Sequence, residues 1–187
     1  MRRCSGVLTL ASLLAAAPLA ASAQGGITTG LPTSVDILFP PITASGVRPI
    51  TFGTVLPGTT VSVAPRTPQG AEFRIGGVLG RKSVDITLTL PTVLTGPGGA
   101  TVPLSFAGSN AAVCELDLLG ICQAASLMSW DPVATPTTRV RPLKVGPGPK
   151  VFVNPQLALY LGASVSPSAT QRAGHYTASA GVLIVAN

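Results

Sequence analysis

The sequence is poor in the side chains that catalysis and metal binding use. Charged residues make up 10% of its 187 residues, aromatic residues make up 4%, and His175 is the single histidine. A nucleophile needs a base close to it, and a zinc site needs several His or Cys ligands. A mildly basic, charge-poor chain also gives little reason to expect nucleic-acid binding. We therefore expect no catalytic residue, no cofactor, no metal and no nucleic acid.

Long apolar runs are missing after the first 23 residues. Residues 1–23 begin with Arg2 and Arg3, continue with an apolar run over 7–17, and end on Ala-Ser-Ala just before Gln24. This pattern is typical of a secretory signal peptide. No later stretch reaches the roughly 18 apolar residues of a membrane helix. We expect an exported bacterial protein, located in the periplasm, on the cell surface or outside the cell, with no transmembrane segment.

Two cysteines remain beyond the signal peptide, Cys114 and Cys122. An even number of cysteines in an exported chain favours a disulfide. There is no CxxC motif, and one histidine cannot complete a zinc site. The pair is therefore predicted to close a short loop, which stabilises the fold by about 2–3 kcal/mol in the loop-entropy model.

Proline and glycine are abundant, with 18 and 21 residues, and they interrupt short runs in which apolar and polar residues alternate. That pattern is typical of an antiparallel β-sandwich. In the run SVDITLTL, Val84, Ile86 and Leu88 should face the core. In the run AEFRI, Glu72 should point to solvent, and Pro103 should mark an edge strand or a strand end. We expect about eight to ten strands.

The chain is predicted to form a single all-β domain over residues 35–187, with an irregular insertion at about residues 107–155. Residues 24–34 are interpreted as a flexible leader or a donor-like strand. From residue 27 to residue 39, every second position is Ile, Thr, Leu, Val or Phe, which is the alternation of a strand. We call residues 27–39 the alternating leader.

The chain also ends on an alternating run. Tyr176, Val182 and Ile184 share one face of this run, and Leu183 and Val185 make the other face apolar near the end. A strand that is apolar on both faces is expected inside a sheet. We therefore predict a last strand that closes the sandwich and fills its core.

Three stretches of the sequence carry a family resemblance: ITFGTVLPGTTVSV, QGAEFRIGGVLGRKSVDITLTLP and YLGASVSPSATQRAGHYTASAGVLIV. They resemble the exported bacterial β-sandwich family called domain of unknown function 4402. The matching positions are Phe52, Gly53, Pro57, Gly58, Ala71, Phe73, Gly76, Leu90, Pro91, Gln171, Gly174 and Tyr176. The resemblance covers both ends of the predicted domain and does not extend well over residues 107–155.

The last of these stretches is also similar to the ending of spore-coat-U-like proteins and chaperone–usher pilins. Gly174 is the fourteenth residue from the end, as a glycine is in pilins, whereas Ala186 stands where pilins have a penultimate tyrosine. The resemblance implies an immunoglobulin-like, pilin-like sandwich. The residues assigned structural roles are Phe52, Gly53, Gly58, Phe73, Gly174 and Tyr176.

Physical roles can be given for some of these residues. Gly53 and Gly58 should occupy turns or bulges that need a positive φ or a missing side chain. Gly174 should form the turn that starts the last strand, and Tyr176 should bury its ring with its hydroxyl at a polar edge.

Two functions are compatible with this sequence. The first is a secreted, non-enzymatic structural or adhesion-type surface protein, a fimbrial-like subunit that assembles with itself or with other surface proteins by β-strand addition. The second is a monomeric extracellular module that binds a glycan or an anionic surface polymer. The residues expected to make that contact are Arg139, Arg141, Lys144, Lys150 and Trp130.

Overall fold

The structure is a computed structural model that describes residues 41–78, 83–117, 119–141 and 156–187. The predicted signal peptide, the alternating leader, Lys144 and Lys150 lie outside these residues. Within them the only helices are two single turns of 3-10 helix, Pro97–Gly99 and Ala124–Ser126, and no helix is long and apolar enough to span a membrane. The strands are β1 Thr43–Arg48, β2 Val61–Val63, β3 Ala71–Gly76, β4 Val84–Thr89, β5 Val93–Thr95, β6 Thr101–Ser105, β7 Ala111–Glu115, β8 Met128–Trp130, β9 Thr137–Val140, β10 Leu157–Leu161, β11 Ala163–Val165 and β12 Gly181–Ala186.

These strands form three antiparallel sheets with the orders β1-β3-β10-β7-β8, β2-β11-β6-β5 and β12-β4-β9. The inner face of the five-stranded sheet packs against the inner face of the three-stranded sheet. Ile75 and Leu159 from the first layer and Ile86 from the second have no exposed surface, and they belong to one core cluster. The prediction of an all-β sandwich is confirmed, and the immunoglobulin-like topology stays a prediction.

At Gly162 the chain passes from the five-stranded sheet to the four-stranded sheet. β10 ends just before this residue and β11 begins just after it. A Cβ atom on Gly162 would collide with the carbonyl oxygen of Val63 and lie 2.7 Å from the ring of Pro65. The absence of a side chain therefore allows the close backbone approach at this corner.

The disulfide covers the second face of the five-stranded sheet. Cys114 in β7 is bonded to Cys122 with an S–S distance of 2.06 Å, as predicted. Behind it, Ala112 and Tyr160 belong to a separate buried cluster that Cys122 packs against. As a result, β7 and β10 are buried along their whole length on both faces.

The predicted irregular insertion, residues 107–155, contains three strands in its described part: β7, β8 and β9. β7 is even an interior strand of the five-stranded sheet. Its sequence AAVCE does not alternate because both of its faces are buried, and a short run of this kind carries no period-2 signal.

Glu72 is buried rather than solvated, with 7% of its surface exposed. It lies in β3 between β1 and β10. The Nη2 atom of Arg74 lies 2.6 Å from its Oε1 atom, and Nη2 of Arg48 lies 3.5 Å from its Oε2 atom. The outward position was predicted correctly from the alternation, but two guanidinium groups, and not water, cover the carboxylate.

Pro103 does not mark an edge strand, because β6 lies between β11 and β5. The ladder between β6 and β11 reaches Leu104, and beyond it the carbonyl oxygen of Pro103 accepts one hydrogen bond from the backbone N–H of Ser166. The ladder therefore ends at Pro103, because proline has no N–H with which to return the hydrogen bond to Ser166.

The last strand closes the three-stranded sheet from its edge. In the described part of the chain, β12 pairs with β4 alone. Val182 and Ile184 pack against the core, whereas Leu183 and Val185 are 61% and 48% exposed. The predicted closure of the sandwich is confirmed. The predicted position inside a sheet is wrong, because β12 is an edge strand among the described residues. No described residue buries its apolar second face either.

Candidate functional site: an apolar groove

A large cavity opens on one side of the domain, between residues 46–57 and residues 171–180. Its volume is about 1220 Å³. The floor consists of side chains from several strands and from the loop after β1; these include Phe52, Phe73, Leu104, Phe106, Leu161 and Val165. We call this cavity the apolar groove. Two of the floor residues, Leu104 and Phe106, belong to a third core cluster, and Phe52 packs against it, so the groove reaches into the hydrophobic core.

Most of the chain that forms the two walls of the groove is not part of a sheet. Residues 49–57 contain no strand, and residues 171–180 contain a single bridge residue, Thr177, which pairs with Thr95. In the first wall, the backbone N–H of Thr51 donates to the carbonyl of Gln69 over 2.9 Å. The groove is thus an apolar trough between two segments that offer backbone groups outside any ladder.

The second wall is held in place by Tyr176. The Tyr176 hydroxyl donates to the carbonyl oxygen of Arg172 over 2.6 Å and accepts from Nε2 of Gln171 over 2.7 Å. Its ring lies against Gly96, and Gly174 lies against the ring of Pro97. These contacts fix residues 171–176 against the loop after β5, so this wall is positioned in advance of any binding.

The rim of the groove is positively charged. Arg48, Arg172 and His175 are among the lining residues, and none of the lining residues that the structure describes is an aspartate or a glutamate. Arg48 is engaged with the carbonyl oxygens of Gly70 and Thr67 and with Glu72. Arg172 forms no salt bridge with any described residue, so its charge is available to an acidic group that enters the groove.

Five of the six residues assigned structural roles come together around this groove. Phe52, Gly53, Phe73, Gly174 and Tyr176 all line it. Their sequence positions are far apart, and the pattern gave each of them a local role only. The groove itself was not predicted, because it is created by the distance between two loops, which strand periodicity does not determine.

The glycines at 53 and 58 have the backbone geometry that was expected. Gly53 has φ 67° and Gly58 has φ 77°, both in the left-handed region that glycine enters without strain. Gly58 lies outside the groove and next to Ala169. Gly174 does not start the last strand directly, because β12 begins seven residues later at Gly181.

The five residues expected to contact a glycan or a polyanion are not gathered on one face by the described residues. Trp130 lies in β8 and packs against the main core cluster, and its indole nitrogen is buried without a hydrogen-bond partner. Arg139 lies in β9 of another sheet and donates to both carboxylate oxygens of Asp85 over 2.6 and 2.8 Å. Arg141 is exposed. Lys144 and Lys150 lie outside the described residues.

The ion pair between Asp85 and Arg139 changes the pKa of both side chains. The two hydrogen bonds from Arg139 are the main cause that lowers the pKa of Asp85, and the same bonds raise the pKa of Arg139. Asn187 adds a third donor, with its Nδ2 atom 3.0 Å from Oδ2 of Asp85. Arg139 is therefore already paired with a carboxylate of its own chain.

Among the described residues, no three His, Cys, Asp or Glu side chains come close enough to hold a metal ion. His175 is exposed and lines the groove, whose described lining contains no carboxylate. No protein-family model matches the sequence, and no curated protein is significantly similar to it. Function is therefore inferred from the groove and from the sheets.

Proposed function

We propose that this protein is an exported, non-enzymatic structural or adhesion-type β-sandwich of the bacterial surface that assembles by β-strand addition. The observation that supports this proposal is the apolar groove, whose floor is hydrophobic core and whose walls carry backbone outside any ladder. For the fold, we propose a pilin-like sandwich like that of the family which the sequence resembles. The disulfide is compatible with export.

The size and lining of the groove favour a polypeptide as its occupant. Pockets for small molecules have volumes of roughly 300–1,000 Å³, and the groove is larger. An inserted strand meets both needs of this site, because its backbone pairs with the walls and alternate side chains fill the floor. A small ligand would leave the wall backbone groups to water.

The alternating leader of a second copy has the right chemistry for this position. Its alternating positions include Ile27, Leu31, Val35, Ile37 and Phe39, which suits a floor of aromatic and aliphatic side chains. Its single charged residue is Asp36. The leader therefore brings one negative charge to a rim where Arg172 forms no salt bridge with any described carboxylate.

Deletion of residues 24–34 tests the proposal. We expect the full-length exported protein to form concentration-dependent higher oligomers, and the deletion variant to lose them, as measured by size-exclusion chromatography with light scattering. A sharper pair of variants is Ile27→Asp/Leu31→Asp, which charges the apolar face, and Thr28→Asp/Ser34→Asp, which places two charges on the opposite face. The first should abolish higher oligomers and the second should largely keep them.

Identical mass profiles for the parent protein and the deletion variant would overturn the proposal. A binding module for glycans or polyanions would instead stay monomeric and would lose heparin binding on substitution of Arg139, Arg141 and Lys144 by Ala. No described contact favours that second function, because Trp130 packs in the core and Arg139 is paired with Asp85.

A further inference from the structure

The outer edge of β12 carries a regular row of backbone groups that pair with no described strand. Asn187 and Ser83 exchange reciprocal backbone hydrogen bonds, and the register runs from there to Gly181 opposite Thr89. In an antiparallel ladder alternate residues point their N–H and C=O groups to the same side. The odd-numbered residues of β12 therefore point to β4. Val182, Ile184 and Ala186 point their N–H and C=O groups away from the sheet.

β12 is the least protected of the six edge strands in the described sheets. β2, β5 and β8 have three residues each, and β9 carries Arg139. β1 has a register shift between Gly46 and Arg48. Short length, charge and irregularity are the features by which edge strands avoid pairing with other chains. β12 has six residues, GVLIVA, with no charge, no proline and no register shift.

The outward face of β12 is apolar as well. Leu183 and Val185 are 61% and 48% exposed, and their neighbours on β4 are Thr87 and Asp85. Two large apolar side chains at a free edge are stabilised if a further strand covers their flank. The same strand would complete the hydrogen bonds of the edge.

We propose that β12 is an interface between two copies of this chain, in which β12 of one copy pairs antiparallel with β12 of the other. This pairing relates the two copies by a two-fold axis perpendicular to the sheet. Two residues that pair across the axis must have side chains on the same face of the sheet, and both must point their backbone groups to the free edge of β12. Pairing of Ile184 with Ile184 of the second copy satisfies both conditions. Val182 then pairs with Ala186 of the second copy, and a continuous sheet of six strands results.

This register uses every free backbone group of the strand. Three hydrogen-bonded residue pairs form, each with two bonds, which gives about six backbone hydrogen bonds. On the outer face Leu183 lies directly opposite Val185 of the second copy, and the same pair repeats across the axis. Apolar pairs of this kind stabilise antiparallel ladders.

A second copy fits this edge because the strand is complementary to itself. It carries no charge that would meet a like charge across the axis, and a two-fold pairing leaves no further free β12 edge. An edge of six residues is about 20 Å long. The buried area is therefore well below the roughly 1,200 Å² of stable interfaces, so the dimer should be concentration-dependent.

β12 begins after the groove wall ends at Ala180. The interface therefore does not depend on strand insertion into the groove.

Cross-linking between two marked chains tests the register. Two variants, Leu183→Cys and Val185→Cys, are made in a Cys4→Ser background with tags of different mass. Directly opposite residues that are not hydrogen-bonded have Cα atoms about 4.5 Å apart, within disulfide range. Mixed and oxidised, the two variants should give mainly the mixed disulfide, at least about tenfold more than either variant alone. Val133→Cys, on an exposed loop residue, is the matched control.

A predominance of the Leu183→Cys homodimer, or equal cross-linking of the Val133→Cys control, would overturn this register. The absence of the mixed disulfide at high protein concentration would overturn the interface itself. Two further variants separate the interface from strand donation. Val185→Lys should raise the dissociation constant of the dimer at least about tenfold with an unchanged circular dichroism spectrum, and deletion of residues 24–34 should leave the dimer intact. Loss of the dimer on that deletion would assign the β12 edge to the leader and refute pairing of β12 with itself.

Discussion

Gly96 lies directly beneath the ring of Tyr176, so closely that a Cβ atom at position 96 would be 2.5 Å from two ring carbons. The Tyr176 hydroxyl fixes Arg172 and Gln171 at the same time. One aromatic ring therefore joins the loop after β5 to one wall of the groove. The shape of the groove depends on a contact that leaves no room for a methyl group.

Gly96→Ala should therefore destabilise the protein by about 1–3 kcal/mol, the usual cost of overpacking, and displace the groove wall. Gly181→Ala is a matched control, since a Cβ atom there would lie 3.4 Å from the nearest atom of Thr89. Urea denaturation measures both variants. Equal stability of the two would contradict the close packing of Tyr176 on Gly96.

The disulfide should contribute measurably to stability. Replacing Cys114 and Cys122 by serine removes a bridge between residues eight apart in sequence, and the loop-entropy model gives a loss of about 2–3 kcal/mol. The loss is measured by denaturant unfolding of the two proteins under oxidising conditions. A reducing agent should lower the stability of the parent protein and leave that of the double serine variant unchanged; an equal response of both would argue against this role.

Core packing at the centre of the five-stranded sheet should dominate stability. Leu159 lies in β10 with no exposed surface, and its replacement by alanine should cost about 2–5 kcal/mol. The same substitution at Leu56, which is 64% exposed, should change the free energy of unfolding by less than about 0.5 kcal/mol. Similar losses at the two sites would mean that β10 is not the centre of the core.

The pH dependence of stability should involve Asp131. Its carboxylate accepts backbone hydrogen bonds from Gly108, Val133 and Ala134 over 2.8, 2.9 and 3.2 Å. The bond from Gly108 is the largest cause that lowers the pKa of Asp131, followed by those from Ala134 and Val133.

Because the folded state has the lower pKa, this carboxylate stabilises the fold above the unfolded value of about 3.9. The contribution disappears as the pH falls through the folded pKa. Asp131→Asn should therefore be less stable than the parent at pH 7, and the gap should narrow at pH 3. Urea denaturation at both pH values measures this, and a gap that widens in acid would contradict the assignment.

Alternation predicted the strands whose two faces differ. In β4, Val84, Ile86 and Leu88 are buried as expected, because one face of the three-stranded sheet meets the core and the other meets solvent. Alternation did not fully predict β7 and β10, since the disulfide loop buries their second faces. Burial on a second face depends on a distant loop, and a local period cannot show it.

The candidate site was predictable only in its parts. Phe52 and Tyr176 were singled out, but residues more than 100 positions apart meet across a groove whose width is set by tertiary packing. The open edge of β12 shows the same limit. Leu183 and Val185 give an apolar second face either when a layer covers them or when a partner chain does, and the sequence pattern is identical in the two cases.

Charge complementarity between the groove and the leader provides the most specific test of strand addition. Arg172 lines the groove without a salt bridge to a described residue, and Asp36 is the single charge of the alternating leader. Arg172→Glu should weaken assembly about twofold to fivefold, the size of an exposed ion pair. Arg141→Glu makes the same charge change at an exposed residue outside the groove lining and should have no such effect. Combining Arg172→Glu with Asp36→Lys should restore assembly in light-scattering measurements at low salt. Additive losses in that double variant would refute the pairing of these two residues.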